Sequence, residues 1–181
     1  MSVPLSGRVI DFATNAGVPG VTIEFGYLDL FGRFVAAAKA VSDGAGSYRA
    51  MNAPGYSALV QIDGTWRGEI QVNYDYRGDF LVRTGTCVAR YGTVADALTL
   101  RPVSGATVTL QGTTALSGSN GWYRIDLGCP SSGVVGFNTT FLQASHPDYP
   151  SRSFIAGRGV SGVSRMDLSL QKRAFPVAAT R

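Results

Sequence analysis

An internal repeat limits what this sequence can fold into more than any other feature does. The segment Gly7–Asp11 (Gly-Arg-Val-Ile-Asp) matches Gly92–Asp96 (Gly-Thr-Val-Ala-Asp), and Gly20 matches Gly105. Both matches lie 85 positions apart along the chain. A long repeat means that one structural unit occurs twice, so the sequence predicts two similar modules rather than one larger domain.

The spacing of the repeat changes once, which locates a difference between the two modules. Gly46–Arg49 (Gly-Ser-Tyr-Arg) matches Gly121–Arg124 (Gly-Trp-Tyr-Arg) at an offset of only 75 positions. The change falls between the second and third predicted strands, so the first module is predicted to carry a longer hairpin. The boundary is placed within the linker Arg83–Thr86. Residues 1–86 and 87–181 are then the two modules, and each has a size typical of a seven-strand sandwich.

Composition and patterning indicate that both modules consist of β-strands. The chain contains 23 glycines and 8 prolines, which suit short strands joined by tight turns. Partial alternation of apolar and polar residues, typical of half-buried strands, occurs in the first module at 8–10, 21–25, 47–50, 58–62 and 69–72. No stretch shows convincing helical periodicity. We therefore predict an all-β protein of two tandem seven-strand sandwiches.

Both modules follow one longer pattern: Gly-x-Val-x-Asp, then Pro-Val-x-Gly-Ala-x-Val-x-Leu, then a turn and Gly-x-Tyr. In the second module it is carried by Gly92, Val94, Asp96, Pro102, Val103, Gly105, Ala106, Val108, Leu110, Gly121 and Tyr123. In the first module it is carried by Gly7, Val9, Asp11, Pro19, Gly20, Val21, Ile23, Asp43, Gly46, Tyr48 and a Pro-Gly-Tyr turn at 54–56.

This pattern resembles the carboxypeptidase regulatory-like modules of the transthyretin-like (prealbumin-like) β-sandwich group. The resemblance implies an Ig-like sandwich of about seven strands in each half. It also implies an accessory, spacer or recognition domain of the kind found in secreted and surface proteins. Such folds host many unrelated tasks, so the resemblance specifies the fold better than the function.

Charge and residue content argue against several classes of function. The net charge of +4 comes from arginines that are scattered along the chain, so nucleic acid binding is not expected. No apolar run approaches the roughly 18 residues that span a bilayer, so no membrane insertion is expected. His146 is the single histidine and falls in a predicted turn, while the carboxylates of Asp43 and Asp148 are isolated. We therefore expect no enzyme, no metal site and no cofactor.

The two cysteines allow two states. Cys87 and Cys129 lack the spacing of a zinc or redox site. They form either one disulfide, which the loop-closure model values at about 4 kcal/mol, or two unpaired buried thiols. The sequence leaves both states open, because it does not establish an oxidising compartment.

Apolar residues outside the predicted core point to contacts with other molecules. The longer hairpin of the first module concentrates Tyr27, Leu28, Leu30, Phe31 and Phe34 near one end of the sandwich. These side chains either cover the module's own sheet or form a surface for a partner.

Both ends of the chain are uncharged segments that we expect to act as arms. They are Ser2–Leu5 and Ala174–Ala179, and the second contains Phe175 and Val177. Such arms can pair with the exposed sheet edge of a neighbouring molecule.

Two tryptophans suggest alternative roles. Because side chains alternate along a strand, Trp122 faces outward if Tyr123 enters the core. An outward Trp122 covers a neighbouring module or subunit, or it joins Trp66 in a stacking platform for sugar rings.

These features favour a non-enzymatic structural or adhesive subunit of a larger assembly, such as a filament, an appendage, or a virion decoration or fibre protein. Its expected partners are copies of itself or other subunits of the assembly. The alternative is a carbohydrate-binding accessory module. The first residues, Met-Ser-Val-Pro-Leu, lack the basic and apolar regions of a secretory signal. We expect an extracellular or cell-surface location if a signal peptide has been removed, and a virion surface if Met1 is native.

Overall fold

The computed structural model describes residues 2–54, 56–72, 78–131 and 134–172 of the chain. These residues form fifteen strands joined by turns and loops, and they form no helix. Accordingly, no helix among them is long and apolar enough to cross a membrane. The strands of each half lie in their own pair of sheets, which confirms the predicted all-β fold of two tandem β-sandwiches.

Seven strands lie among the described residues of the first half. They are β1 (Ser2–Asp11), β2 (Thr22–Leu28), β3 (Phe34–Val41), β4 (Ser47–Pro54), β5 (Tyr56–Ile62), β6 (Thr65–Val72) and β7 (Phe80–Val82). One sheet has the order β4-β1-β7 and the other the order β3-β2-β5-β6. Both sheets contribute to a single buried core that includes Val9, Ile23, Phe25, Tyr48 and Phe80.

In the second half, the part of the chain that the structure describes forms eight strands. They are β8 (Val88–Asp96), β9 (Thr107–Leu110), β10 (Thr113–Leu116), β11 (Trp122–Gly128), β12 (Val134–His146), β13 (Tyr149–Ser161), β14 (Val163–Arg165) and β15 (Leu168–Leu170). One sheet has the order β10-β9-β12-β13, and in the other β8 lies between β11 and the pair β14 and β15. Val94, Val108, Tyr123, Ile125 and Leu142 belong to its core.

The eighth strand arises because the last strand of the second half is interrupted. β14 and β15 are both parallel to β8, and they pair with its beginning and its end. Between them, the Met166 carbonyl accepts the hydroxyl of Tyr123, and the Asp167 carboxylate accepts the backbone N–H of Thr93 at 2.9 Å. These bonds replace the regular ladder at the interruption.

The two cores have no residue in common, since one is drawn from residues 5–82 and the other from 88–170. This separation supports a division into modules of residues 1–86 and 87–181, which we retain as a proposal. Below, they are called the first and the second module.

The N-terminal segment is not a free arm, so that prediction is wrong. Ser2 pairs with Pro54 and Val3 with Ala53, both across the β1–β4 ladder. The side chain of Leu5 is fully buried, because it continues the inward alternation that includes Val9. Phe175 and Val177 of the other predicted arm lie outside the described residues.

The predicted difference in hairpin length is confirmed. β2 and β3 contain 7 and 8 residues, whereas β9 and β10 contain 4 each. The sequence did not reveal a second long hairpin, in which β12 and β13 contain 13 residues each. Only Leu142–Ser145 of β12 pairs with β9, so the rest of this hairpin extends beyond that ladder.

A tyrosine on the neighbouring strand explains the glycine at the start of each repeat. Gly92 lies opposite Tyr123, whose hydroxyl passes over the glycine to donate a hydrogen bond to the carbonyl of Met166. A Cβ atom on Gly92 would overlap that carbonyl. The first module has the same arrangement, with Gly7, Tyr48 and Gly78 in the corresponding places.

The repeated aspartates fix turns. Asp96 Oδ1 accepts the backbone N–H groups of Leu98 and Thr99 at 2.9 and 2.8 Å. The pKa of Asp96 is lowered to about 2, mainly because the Thr99 N–H donates to the carboxylate; the Tyr149 hydroxyl adds a second bond. Asp11 makes the equivalent turn in the first module, and its pKa is also lowered.

We predict that Gly92→Ala destabilises the protein by about 1–3 kcal/mol, because the new methyl group displaces the Met166 carbonyl, which accepts the Tyr123 hydrogen bond. Urea unfolding followed by fluorescence measures the loss. Gly118→Ala is the matched control, since its Cβ meets no atom closer than 3.4 Å. A loss no larger than that of the control would contradict this role of Gly92.

We also predict that Asp96 contributes stability that depends on pH. Its folded pKa of about 2 lies below the ordinary value of 3.8, so between these values the unfolded chain binds the proton more readily. The free energy of unfolding of wild type should therefore exceed that of Asp96→Asn by its full amount above this pH window. This difference should be lost as the pH falls through the window. Urea midpoints at several pH values measure the gap, with Glu69→Gln as a control on an exposed carboxylate. A gap that does not narrow in acid would exclude the proposed linkage.

Candidate functional site

The structure gives His146 a structural role in the predicted turn. Its Nδ1 accepts the backbone N–H of Asp148 at 3.1 Å, and its ring packs edge-on against Tyr149 with the ring centres 5.4 Å apart. These contacts close the turn between β12 and β13. Within the described ranges, no three His, Cys, Asp or Glu side chains are grouped so that they could hold a metal ion.

An open cleft of about 360 Å³ lies beside β13. Its lining residues are Pro150, Ser151, Arg152, Gln171 and Lys172. Among the described residues of this lining, two are cations and none is a carboxylate, whereas general acid–base chemistry uses a paired acid and base.

The apolar end of the longer hairpin is exposed. We call residues 27–34 the β2–β3 tip. Within it, Leu30 is 101% exposed and Phe31 is 81% exposed, while Tyr27 and Leu28 are about half exposed. Phe34 is half-buried. The tip therefore does not fold over its own sheet, and its role as a surface for a partner stays a prediction.

A single carboxylate fixes the shape of the β2–β3 tip. Asp29 Oδ1 accepts the backbone N–H groups of Phe31 and Arg33, each at 2.9 Å. Asp29 Oδ2 pairs with the Arg33 guanidinium, also at 2.9 Å. The hydrogen bond from the Arg33 N–H is the largest of the causes that lower the pKa of Asp29, so the carboxylate stays ionised at neutral pH. The apolar side chains are thus presented on an ordered turn.

A second cluster joins the two modules. We call Phe12, Leu81, Ala89 and Tyr91, all buried, the inter-module cluster. The first two residues belong to the first module and the other two to the second. Trp122 packs against this cluster, with its ring centre 5.4 Å from that of Tyr91.

This position bears on the two roles considered for Trp122. Tyr123 is buried in the core, and Trp122 is half-buried beside the inter-module cluster, where its ring packs against Tyr91 of its own module. This location is compatible with the packing alternative, and the choice between the two roles stays a prediction. The side chain of Trp66, its partner in the carbohydrate alternative, lies outside what the structure describes.

Arg124 belongs to the second module and binds the first module, and we call its set of contacts a clamp. Its guanidinium lies 4.1 Å from the centre of the Phe12 ring and donates to the Phe12 carbonyl at 3.1 Å. The guanidinium also donates a hydrogen bond to Asn15 Oδ1 at 3.1 Å, and its Nε donates to Asp126 Oδ1 at 2.7 Å. One side chain therefore combines a cation–π contact with hydrogen bonds across the junction.

Arg165 makes a second, fully buried clamp. Its side chain has no exposed surface and pairs with Asp167 at 3.1 Å. Across the junction it donates to the Asp79 carbonyl at 2.8 Å and lies 5.3 Å from the centre of the Phe80 ring. The charge is thus paired within its own module while it binds the other one.

A tyrosine completes the junction. The Tyr91 hydroxyl accepts the backbone N–H of Leu81 at 3.3 Å, and burial raises the pKa of this hydroxyl above its ordinary value. The two modules are therefore held by apolar packing, two arginines and a hydrogen bond to the strand β7 itself.

The structure joins Cys87 and Cys129 in a disulfide, the first of the two states that the sequence allowed. Cys87 comes directly before β8, and Cys129 comes directly after β11. Because β8 and β11 are antiparallel neighbours, the bond closes the end of their ladder that lies nearest the linker.

Sequence reasoning missed the residues that join the modules. Arg124 occupies the repeat position of Arg49, yet Arg49 is exposed and Arg124 is clamped across the junction. The internal repeat identifies residues that have the same role in both modules. A contact between the two modules has no counterpart within either module, so the repeat does not indicate it. The residues of the β2–β3 tip were found because their apolar side chains follow no strand pattern.

No family model matches the chain, and no curated protein matches it. Among solved structures, the chain is similar to one chain of a type II cohesin–X-dockerin complex from Acetivibrio cellulolyticus, with 15% identity over 52% of this chain and 64% of that one, and a TM-score of 0.34. It is also similar to a streptococcal ancillary pilin (14% identity, 97% and 63% covered, TM-score 0.35). A third structure is the minor pilin of Streptococcus agalactiae (11% identity, 99% and 100% covered, TM-score 0.36).

This chain spans less than two thirds of the length of the first two of these structures. Likeness at this level carries no argument about function. The strands, sheets and cores of the molecule itself define its class, which is that of proteins built from two tandem β-sandwiches.

We predict that Phe12 and Arg124 are energetically coupled across the junction. A double-mutant cycle with Phe12→Leu and Arg124→Met should give a coupling free energy of about 0.5–2 kcal/mol, because the cation–π contact is partly shielded from water. Urea unfolding of the four proteins measures it. The exposed pair Phe31 and Arg33 is the matched control and should couple less. Additive effects at Phe12 and Arg124 would show that the cation–π contact contributes no energy.

Proposed function

We propose that this protein is a non-enzymatic structural or adhesive subunit of a larger extracellular, cell-surface or virion-surface assembly. Its two carboxypeptidase regulatory-like modules act as one rigid body, and its β2–β3 tip binds a neighbouring subunit. The partner is another copy of this chain or another subunit of the same assembly.

The observation that carries this proposal is the exposure of an ordered apolar tip. Burying a side chain such as Leu30 or Phe31 contributes about 1.5–3 kcal/mol each. A flexible loop loses much of that gain when binding orders it. Asp29 already holds this turn through hydrogen bonds to Phe31 and Arg33, so little ordering remains for the partner to impose.

The arrangement at the junction supports the same role. A subunit that transmits contacts from one end to the other needs modules that do not swing freely. Arg124 and Arg165 link the modules from two different strands, β11 and β14. The turn roles of His146 and Asp96 support a non-enzymatic protein.

We predict that the purified chain forms larger species whose fraction falls on dilution. Leu30→Ser combined with Phe31→Ser should remove most of the association, because the variant loses the apolar surface and keeps the Asp29 turn. Light scattering over a dilution series measures the mass against the 19.1 kDa of one chain. Leu98→Ser is the matched control, since Leu98 is 76% exposed in a turn of the second module.

Two results would count against the proposal. A concentration-independent monomer in the wild type would exclude self-assembly through the tip. Equal association of wild type and tip variant, with loss in the control, would place the interface on the second module instead.

A further inference from the structure

The first and last strands of each module are direct neighbours and run in the same direction. In the first module Val9 pairs with Phe80 and Asp11 with Val82, so β1 and β7 are parallel. In the second module, Leu168 pairs with Val94 in a parallel β8–β15 ladder. β14 continues this parallel pairing at the other end of β8.

This pairing decides how each module responds to tension along the chain. With parallel strands, the point where the chain enters the module and the point where it leaves lie at opposite ends of the ladder. In the first module these points are Ser2 and Val82, separated along β1 by about 30 Å at the usual rise of a strand. Pulling them apart slides one strand along the other, so the hydrogen bonds of the ladder are loaded together. Antiparallel first and last strands would place both points at one end, and the bonds would then break one after another.

The second module has the larger parallel ladder of the two as described. β8 pairs with β14 from Ala89 to Tyr91 and with β15 from Val94 to Asp96. The N–H of Ala97 also donates to the carbonyl of Leu170, which extends the ladder past the end of β8.

The disulfide lies where tension enters this module. The chain arrives from the linker at Cys87, which is bonded to Cys129 at the adjoining end of β11. β8 therefore cannot be peeled from β11 starting at the loaded end. The residues enclosed between the two cysteines also cannot lengthen the chain while the bond is intact.

The junction passes the load from one terminal pair to the next. The Tyr91 hydroxyl accepts a hydrogen bond from the N–H of Leu81 in β7. Arg165 lies next to the interruption between β14 and β15, and it donates a hydrogen bond to the Asp79 carbonyl just before β7. The last strand of the first module is thus bound directly to the strands that bear the load in the second.

We infer that this chain is a tension-bearing element, in which two modules loaded in shear are connected in series and the Cys87–Cys129 disulfide protects the loaded end of the second. This goes beyond the proposed function, because mechanical resistance belongs to a single chain and requires no partner.

Single-molecule force spectroscopy on the full chain tests the inference. One set of molecules is attached at positions 2 and 172, and the other at positions 2 and 54, through azide-bearing residues that leave the cysteines untouched. Ser2 and Pro54 are antiparallel neighbours, so the second attachment peels β1 from β4. The end-to-end attachment should give two unfolding events, and even the weaker of them should need a several-fold higher force than the peeling attachment. Equal or lower end-to-end forces would overturn the inference.

Reduction of the disulfide identifies the event that belongs to the second module. The two cysteines are 42 positions apart, so breaking their bond should lengthen one event by about 150 Å at full extension and leave the other unchanged. That event should also occur at lower force after reduction. If neither event changes, the disulfide does not lie in the path of the load.

A pair of matched variants separates mechanical resistance from overall stability. Leu168→Ala removes a buried side chain from β15, in the path of the load, and Leu142→Ala removes an equally buried one from β12, outside it. Both should cost a similar free energy of unfolding in urea, about 2–5 kcal/mol. Leu168→Ala should lower the force of the disulfide-containing event clearly more than Leu142→Ala does. Equal reductions would show that the force reports stability alone, and the inference would fail.

Discussion

Each module depends on one contact, in which a tyrosine hydroxyl passes over a glycine to reach a carbonyl group near the last strand. Tyr48 and Tyr123 make this bond from β4 and β11. The tyrosine ring is buried in the core, while its hydroxyl satisfies a carbonyl that the strand ladder leaves free. Because the same side chain packs in the core and bonds the last strand, core packing and closure of the sheet are coupled.

The contact also determines which neighbour each central strand has. β1 and β8 each lie between an antiparallel partner that carries the tyrosine and a parallel partner next to the carbonyl that accepts its hydrogen bond. The parallel partner is the last strand of the module, which places the chain's exit beside the following module. In the first module this brings Leu81 next to Tyr91, where the two cores meet in the inter-module cluster. The junction is therefore a consequence of how the first module closes.

Much of the fold could be predicted from the sequence because its determinants are local and occur twice. Asp11 and Asp96 bond amides two and three residues ahead, and Gly7 and Gly92 are required by a tyrosine at a repeated spacing. The interruption of the last strand at Met166 and the long β12–β13 hairpin have no copy in the pattern, so the repeat could not indicate them. The prediction for the N-terminal segment was wrong because an uncharged stretch beside a chain end has the same composition whether it forms a free arm or the edge of a core strand.

The candidate site residues also differ in whether the sequence could reveal them. Leu30 and Phe31 could be identified because apolar residues in a turn conflict with what a turn usually contains. Phe12, Arg124 and Arg165 could not be identified, because contacts with the other module produce no periodic pattern in the sequence. Arginine beside an aromatic ring is a frequent pair, and only the three-dimensional arrangement distinguishes Arg124 from the exposed Arg49.

The way in which the β2–β3 tip is held has an evolutionary consequence. All the hydrogen bonds and ion pairs described for its turn come from Asp29 and involve backbone groups or the side chain of Arg33, whereas the side chains of Leu30 and Phe31 are mostly exposed and the Phe31 ring contacts Arg33. The residues that hold the turn and the residues that face outward are thus different. Selection could exchange the two outward side chains, and with them the choice of neighbour, while the sandwich beneath retained its stability.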